Sequence, residues 1–215
     1  MRSRKMKHRD ERMTACGDMV IIPHRDSPEV IKPTEVFPSY SHFRLEVGCG
    51  KGAYVCGESE RHPNTAYFAL EVLSDIIIHA AERAISLERK NVRFVNANAT
   101  LLPSIFPPES FDVIHINFCD PWPRARHEKR RLTSRGFLAL FRPLLKKDGY
   151  ITFKTDNADL FEFSIPEFEA SGFDVRDITR DLHESEYSGC DTETEYEKNF
   201  SEKGVPICRL TAHLR

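Results

Sequence analysis

Apolar residues in this chain recur in short runs about one helix apart, the pattern of strands buried on both faces and separated by helices. Phe43-Arg44-Leu45-Glu46-Val47 reads as a first strand closed by glycines, and Ala66-Tyr67-Phe68-Ala69-Leu70-Glu71 as a second. Ser74 then reads as the cap of a helix whose apolar positions Ile77, Ala81, Ala84 and Ile85 fall at i, i+4, i+7 and i+8. Further strands are predicted at residues 92–95, 113–118 and 150–153, the last announced by a Lys147-Asp148-Gly149 turn. Helical signals lie between them, and Pro143 and Pro166 are expected to kink or shorten two of those helices. Closing strands are expected at residues 172–177 and 206–213, joined by a long acidic connection over residues 181–202. This alternation predicts an α/β fold: a doubly wound, mostly parallel sheet of seven strands, the last antiparallel, with right-handed crossovers and helices on both faces.

Residues 1–40 are rich in charge and proline and lack a sustained period, which predicts a flexible basic arm leading into a domain over residues 41–215. A chain of 215 residues suits one such domain with a sizeable core.

Charge narrows the partners. With 31 Lys and Arg against 33 Asp and Glu, the net charge of -2 excludes a globally basic nucleic-acid binder, so any nucleic-acid contact must be a local patch. Two patches exist: Arg2, Arg4, Lys5, Lys7, Arg9 and Arg12 in the arm, and Arg124, Arg126, Lys129, Arg130 and Arg131. The acidic connection reads most simply as a solvated face, although connections beyond about 12–15 residues are usually functional or disordered. The six cysteines form no Cys-x-x-Cys pair and have no His partners at zinc spacing, so free thiols in a reducing cytosol and no metal site are expected. No run approaches the roughly 20 apolar residues of a membrane span, which predicts a soluble, cytoplasmic protein.

The glycine loop Glu46-Val47-Gly48-Cys49-Gly50-Lys51-Gly52 follows the first strand, and the second strand ends at Glu71, placed for ribose hydroxyls. A dinucleotide would bring a pyrophosphate to this loop, where Glu46 would repel it. S-adenosylmethionine carries a sulfonium and an ammonium instead, and the Gly-x-Gly-x-Gly spacing suits it better. Asn98-Ala99, past the third strand, is placed for an adenine edge, or is simply a turn asparagine.

Asp120 lies where a strand ends and a loop opens, the edge at which open α/β sheets bind ligands. It begins Asp120-Pro121-Trp122-Pro123-Arg124-Ala125-Arg126-His127-Glu128-Lys129-Arg130-Arg131, which holds the only tryptophan of the chain. Trp122 reads either as a base-stacking platform or as packing for a rigid loop.

Taken with Leu70-Glu71, Thr155-Asp156-Asn157 and Thr194-Glu195-Tyr196-Glu197 followed by Phe200, Gly204 and Ile207, this block and the glycine loop resemble the bacterial tRNA (guanine-N7-)-methyltransferase family over residues 43–215. The resemblance implies a Rossmann-like class I methyltransferase that moves a methyl group from S-adenosylmethionine to N7 of a guanosine in the tRNA variable loop. The protein would act in the cytoplasm, as a monomer or homodimer without an obligatory protein partner. By position, Glu46, Gly48, Gly50, Glu71, Asn98, Ala99 and Asp120 would contact the cofactor, with Asp120 also catalytic. Arg124, Asp156, Thr194, Glu195, Tyr196 and Glu197 would hold the guanosine, while Arg126, His127, Glu128, Lys129, Arg130 and Arg131 would meet the RNA. Cys119 stands where the family usually has proline, and Asn98 where an aspartate is frequent. A small-molecule methyltransferase, a nicotinamide oxidoreductase and a non-catalytic RNA-binding protein are the competing classes.

Overall fold

The computed structural model describes residues 6–24, 26–201 and 203–215. Arg2, Arg4 and Lys5 of the predicted basic arm lie outside them. The strands are β1 (Val20–Ile21), β2 (His42–Val47), β3 (Thr65–Glu71), β4 (Val92–Asn96), β5 (Phe111–Asn117), β6 (Leu145–Thr155), β7 (Phe173–Thr179) and β8 (Cys208–Leu214). They form one sheet in the order β1-β4-β3-β2-β5-β6-β8-β7. β1 to β6 run parallel, and β8 is antiparallel to both β6 and β7. From β2 the chain winds outward through β3 and β4, then returns to lay β5 and β6 on the other side. The switch point therefore falls between β2 and β5, where their carboxyl ends carry the glycine loop and Asp120.

Helices cover both faces, as the alternation predicts. On one side α5 (Leu102–Ile105), α6 (Arg135–Phe141) and α7 (Ala158–Ala170) bury Leu102, Ile105, Leu138, Phe141, Leu160, Phe161 and Phe168 against Leu45, Phe68, Ile114 and Phe153. On the other, α3 (Ala53–Arg61) and α4 (Ser74–Ser86) bury Val55, Ile77, Ile78, Ala80 and Ala81 against Tyr67, Ala69 and Phe94. Gly52 makes the turn into α3 in a left-handed conformation, and a Cβ there would sit 2.9 Å from the Ala80 Cβ. The close approach of the glycine loop to α4 thus depends on a residue without a side chain.

Several elements differ from the expectation. The sheet has eight strands, because part of the presumed flexible arm pairs with β4 as the two-residue β1. The arm also forms α1 (Arg9–Ala15) and the single turn α2 (Pro33–Val36). α1 docks on α4 through Arg12 Nε to Glu82 Oε1 at 2.7 Å and Arg9 to Asp75 at 3.2 Å. Those are pairings across long sequence separation, which local periodicity does not register. Ser74 does not cap α4: its Oγ donates to Asn96 Oδ1 at 2.8 Å, and Leu73 holds the cap position. Ile85 stays largely exposed, while Ile77, Ala81 and Ala84 are buried. Pro166 lies within α7 without ending it, on an exposed position, and deprives the Glu162 carbonyl of its usual helical donor. Pro143 ends α6, which continues as one tighter turn over Arg142–Leu144. The Lys147-Asp148-Gly149 turn survives as a bulge inside β6, because Phe111 pairs with Leu145 but Val113 with Tyr150. The acidic connection contains the helix α8 (Glu195–Ser201). No described helix is long and apolar enough to cross a membrane.

Candidate active site

The loops at the switch point open a cleft of about 780 Å³. Its first wall is the glycine loop. Gly48 and Gly50 both have positive φ, and the amides of Gly48 and Cys49 donate to the Leu70 carbonyl at 2.9 Å. Glu71 ties this loop to the next: one carboxylate oxygen accepts from Gly50 N at 3.3 Å, the other from Leu73 N at 2.9 Å. Val72 and Leu73 form an exposed apolar ledge beside it. Asn98 and Ala99 line the same end. The Asn98 side chain also accepts from Thr100 N at 2.9 Å, so it is a turn asparagine at the cleft and not one instead of the other.

At the floor is Glu46, only 2% exposed. Its Oε1 accepts from Asn117 Nδ2 at 3.2 Å, while Oε2 has no partner among the described residues. Burial pushes this carboxyl up to about 8, and the Asn117 hydrogen bond and the Lys154 charge only partly oppose that. A buried carboxyl with an unused oxygen, opening on a cleft, is suited to a cationic ligand group.

The second wall is the loop after β5. Phe118 and Trp122 both hold left-handed backbone conformations that non-glycine residues rarely adopt, a strain that surrounding contacts must hold in place. The Phe118 amide donates to the Lys154 carbonyl at 2.9 Å. Arg131 donates through Nε to the Pro121 carbonyl at 2.9 Å and through Nη2 to the Trp122 carbonyl at 3.2 Å, and its guanidinium lies over the Phe163 ring. With Arg131 only 9% exposed, its assignment as an RNA contact is corrected: the charge is spent inward, on bracing the loop. Trp122 packs within its own loop, the Arg130 guanidinium 4.9 Å from its ring and the His127 ring edge-on. Asp120 itself is exposed at the cleft.

The third wall comes from the acidic segment. Thr194, Glu195 and Tyr196 line the cleft, and Glu195 pairs with Arg83. Tyr196 stacks on Phe118, across the boundary between the second and third walls. Glu197 does not reach the cleft. It is buried beneath, where its Oε2 receives Lys154 Nζ at 2.9 Å and Thr194 N at 3.3 Å, while Thr194 Oγ1 accepts from Glu197 N at 2.9 Å. Thr194-x-x-Glu197 is thus a reciprocal capping box for α8, a signature present in the sequence but not read from it. The expected direct grip of Glu197 on a substrate is corrected accordingly, and so is the reading of the whole segment as a solvated face.

Glu46, Gly48, Gly50, Glu71, Asn98, Ala99, Asp120, Thr194, Glu195, Tyr196 and Arg130 therefore share one cleft. Arg124, Arg126, Glu128 and Lys129 are exposed beside it, His127 packs on Trp122, and Asp156 lies outside the lining at the end of β6. Sequence reasoning missed Asn117 and Lys154. A lysine between Phe153 and Thr155 in an apolar strand was the available signal, since a buried lysine requires partners. Lys154 is fully buried, and its ammonium reaches Asp191 at 2.7 Å and Glu197 at 2.9 Å. Burial works against this charge, but the two carboxylates outweigh it, and Lys154 titrates above its ordinary value.

Residues 41–210 match a family model described as a putative methyltransferase. Over 178 residues, 83% of each chain, the sequence is 44% identical to a tRNA (guanine-N(7)-)-methyltransferase of Lachnoclostridium phytofermentans. Over 214 residues, 99% of each chain, it is 37% identical to the tRNA (guanine-N(7)-)-methyltransferase of Streptococcus equi subsp. zooepidemicus. The chain belongs to the tRNA (guanine-N(7)-)-methyltransferase family. Among solved structures, an antibiotic-related methyltransferase superposes with a TM-score of 0.64 at 20% identity, covering 86% of this chain and 94% of that one. The 16S rRNA methyltransferase KamB superposes with a TM-score of 0.64 at 13% identity, covering 90% and 98%. These two likenesses concern the fold.

A methyltransferase family and fold imply S-adenosylmethionine as methyl donor, and the residues present fit it. The unpartnered Glu46 oxygen suits its ammonium, the Val72 and Leu73 ledge an adenine face, and Glu71 the ribose.

Glu46 makes a testable linkage. Its folded-state value of about 8 lies above the ordinary 4.5, so its contribution to stability is complete below about 4.5 and is lost as pH rises towards 8. Glu46→Gln removes that loss: urea midpoints should vary less with pH over this range and exceed wild type at the alkaline end, while calorimetry shows weaker S-adenosylmethionine binding. Parallel pH profiles for the two proteins would contradict the assignment.

Proposed function

We propose that this chain transfers the methyl group of S-adenosylmethionine to N7 of a guanosine in the variable loop of tRNA. The observation that carries the reading is the opposition, across one cleft, of the glycine-loop wall and the Asp120 loop, with the exposed cations Arg124, Arg126, Lys129 and Arg130 beside it. Relatives matched over 83% and 99% of the chain are named tRNA (guanine-N(7)-)-methyltransferase, which supports the reading.

Guanine N7 presents an in-plane lone pair and no proton, so the site needs no general base. Bound in the cleft, the cofactor supplies an electrophilic methyl group on a sulfonium. What the chain must supply is alignment, which alone can lower a barrier by several kcal/mol. The stacked Phe118 and Tyr196 rings give an aromatic surface for the base, a contact worth roughly 1–3 kcal/mol. Asp120 accepts from guanine N–H donors and offsets the positive charge that grows on the base as methyl arrives, favouring the transition state over the neutral ground state. His115 takes no part in proton transfer: it is buried, burial holds it well below its ordinary value, and its Nδ1 is engaged by Tyr54 and Thr152. Arg124 and Asp156, outside the cleft lining, meet parts of the substrate beyond the base. Exposed Arg126, Lys129 and Arg130 contact phosphates.

Radiolabelled S-adenosylmethionine and unmodified bulk tRNA, followed by nucleoside analysis and mapping of the labelled position, test the reaction. Label in variable-loop 7-methylguanosine is expected; label in another nucleoside, or none, would overturn it. Asp120→Asn should lower kcat by about 10²-fold, the scale of losing one charge-stabilising group, with cofactor affinity retained. Near-normal turnover would remove Asp120 from the chemistry.

The loop geometry separates neighbouring arginines. Arg130→Ala should reduce the slope of log affinity for tRNA against log salt by about one, the mark of one lost phosphate contact. Arg131→Ala should leave that slope unchanged and lower the melting temperature. The reverse pattern would contradict the placement of both.

A further inference from the structure

Two walls of the cleft meet at a single residue. The Lys154 backbone carbonyl receives the Phe118 amide at 2.9 Å, which fixes the turn that leads to Asp120. Its side chain passes to the opposite wall, where Nζ binds Asp191 Oδ1 at 2.7 Å, Glu197 Oε2 at 2.9 Å and the Thr192 carbonyl at 3.4 Å. Glu197 is the acceptor half of the capping box that orients Thr194 and starts α8, and Tyr196 on that helix stacks back onto Phe118. The ammonium also lies 5.1 Å from the Tyr54 ring centroid, and the Tyr54 hydroxyl reaches Asp191 at 3.4 Å. A buried ammonium held this way has one low-energy position, because losing either carboxylate leaves charge unpaired out of water.

We infer that Lys154 is a positioning residue for methyl transfer: it sets the spacing between the Asp120 loop and the wall of residues 194–196, and so the width of the slot that takes the guanosine. The inference rests on the proposed function for what enters the slot, but the anchoring it describes is a property of the chain itself. The neighbouring strand position supports it. Arg209 on β8 registers with Lys154, is also buried, and keeps Nε and Nη1 without partners among the described residues, so the two carboxylates choose the lysine although a second cation adjoins it. Lys154 is not among the residues lining the cleft, and its effect passes through Phe118, Thr194 and Tyr196.

The test compares Lys154→Met with the charge-free triple variant Lys154→Met, Asp191→Asn, Glu197→Gln. Hydrogen exchange, melting temperature, cofactor affinity, and kcat and KM for tRNA are measured on each. Lys154→Met should accelerate exchange in residues 191–200 while leaving the parallel strands protected, and lower kcat/KM for tRNA by about 10²-fold, the cost expected of a roughly 1 Å misplacement. Cofactor affinity should hold. The triple variant should regain melting temperature but not kcat/KM. Should Lys154→Met fail to fold, the triple variant alone decides. Unaltered exchange in residues 191–200, or recovery of turnover together with stability in the triple variant, would overturn the inference, the latter because it would reduce Lys154 to a neutraliser of two acids. If the wild-type protein forms no 7-methylguanosine, the functional reading fails, and the exchange data still judge the anchoring.

Discussion

Glu46, His115, Asn117, Thr152, Lys154 and Arg209 occupy adjoining positions on one face of a sheet that helices and loops cover on both sides. Glu46 registers with His115, His115 with Thr152, Asn117 with Lys154, and Lys154 with Arg209. Strand alternation puts all six on the same side, and each is buried. Polar and charged groups removed from water must be paired, neutralised or met by a ligand. Three solutions operate within this one layer. Lys154 is paired by two acids of a distant segment. His115 stays neutral, with burial lowering its affinity for a proton. Glu46 holds a proton up to about 8, its second oxygen without a partner among the described residues.

The layer gives the cleft its two halves. Its Glu46 end underlies the glycine loop, and its Lys154 end holds the acidic segment so that Thr194, Glu195 and Tyr196 line the same cleft as that loop. Arg83 and Glu195, and Glu58 with Thr192, add tethers from α4 and α3. The Asp120 loop, strained at Phe118 and Trp122, sits between and is braced from behind by Arg131. Rigid placement of this kind suits a reaction in which no proton moves and geometry carries most of the catalysis.

The sequence made the architecture readable because strands buried on both faces are continuous apolar runs, and all seven predicted strands exist. The glycine-loop wall of the cleft was equally legible, since Gly48, Gly50, Glu46 and Glu71 lie within a local strand-loop unit. What escaped was long-range. Lys154 and its acids are 37 and 43 positions apart, and nothing local to either reveals the other. β1 is too short to show a period, and α1 is held by pairs with α4 and not by its own pattern. Arg131 was misassigned because composition counts a cation without its direction. Asn98 reads from sequence as an adenine contact or as a turn asparagine; the structure shows the turn and places the residue in the cleft lining.

Glu46 is a neutral carboxyl that, in its proposed role, becomes a carboxylate only against the cation of the cofactor. Calorimetry of S-adenosylmethionine binding near pH 6.5, repeated in buffers of different ionisation enthalpy, counts the protons exchanged. At that pH an α-amino group, with an ordinary value of about 7.7–8.0, is already charged. Release of close to one proton per cofactor bound, abolished in Glu46→Gln, is the predicted result. Binding without proton release would mean that Glu46 keeps one protonation state throughout, either ionised beforehand or never set against the cofactor's cation, and would contradict its assigned role.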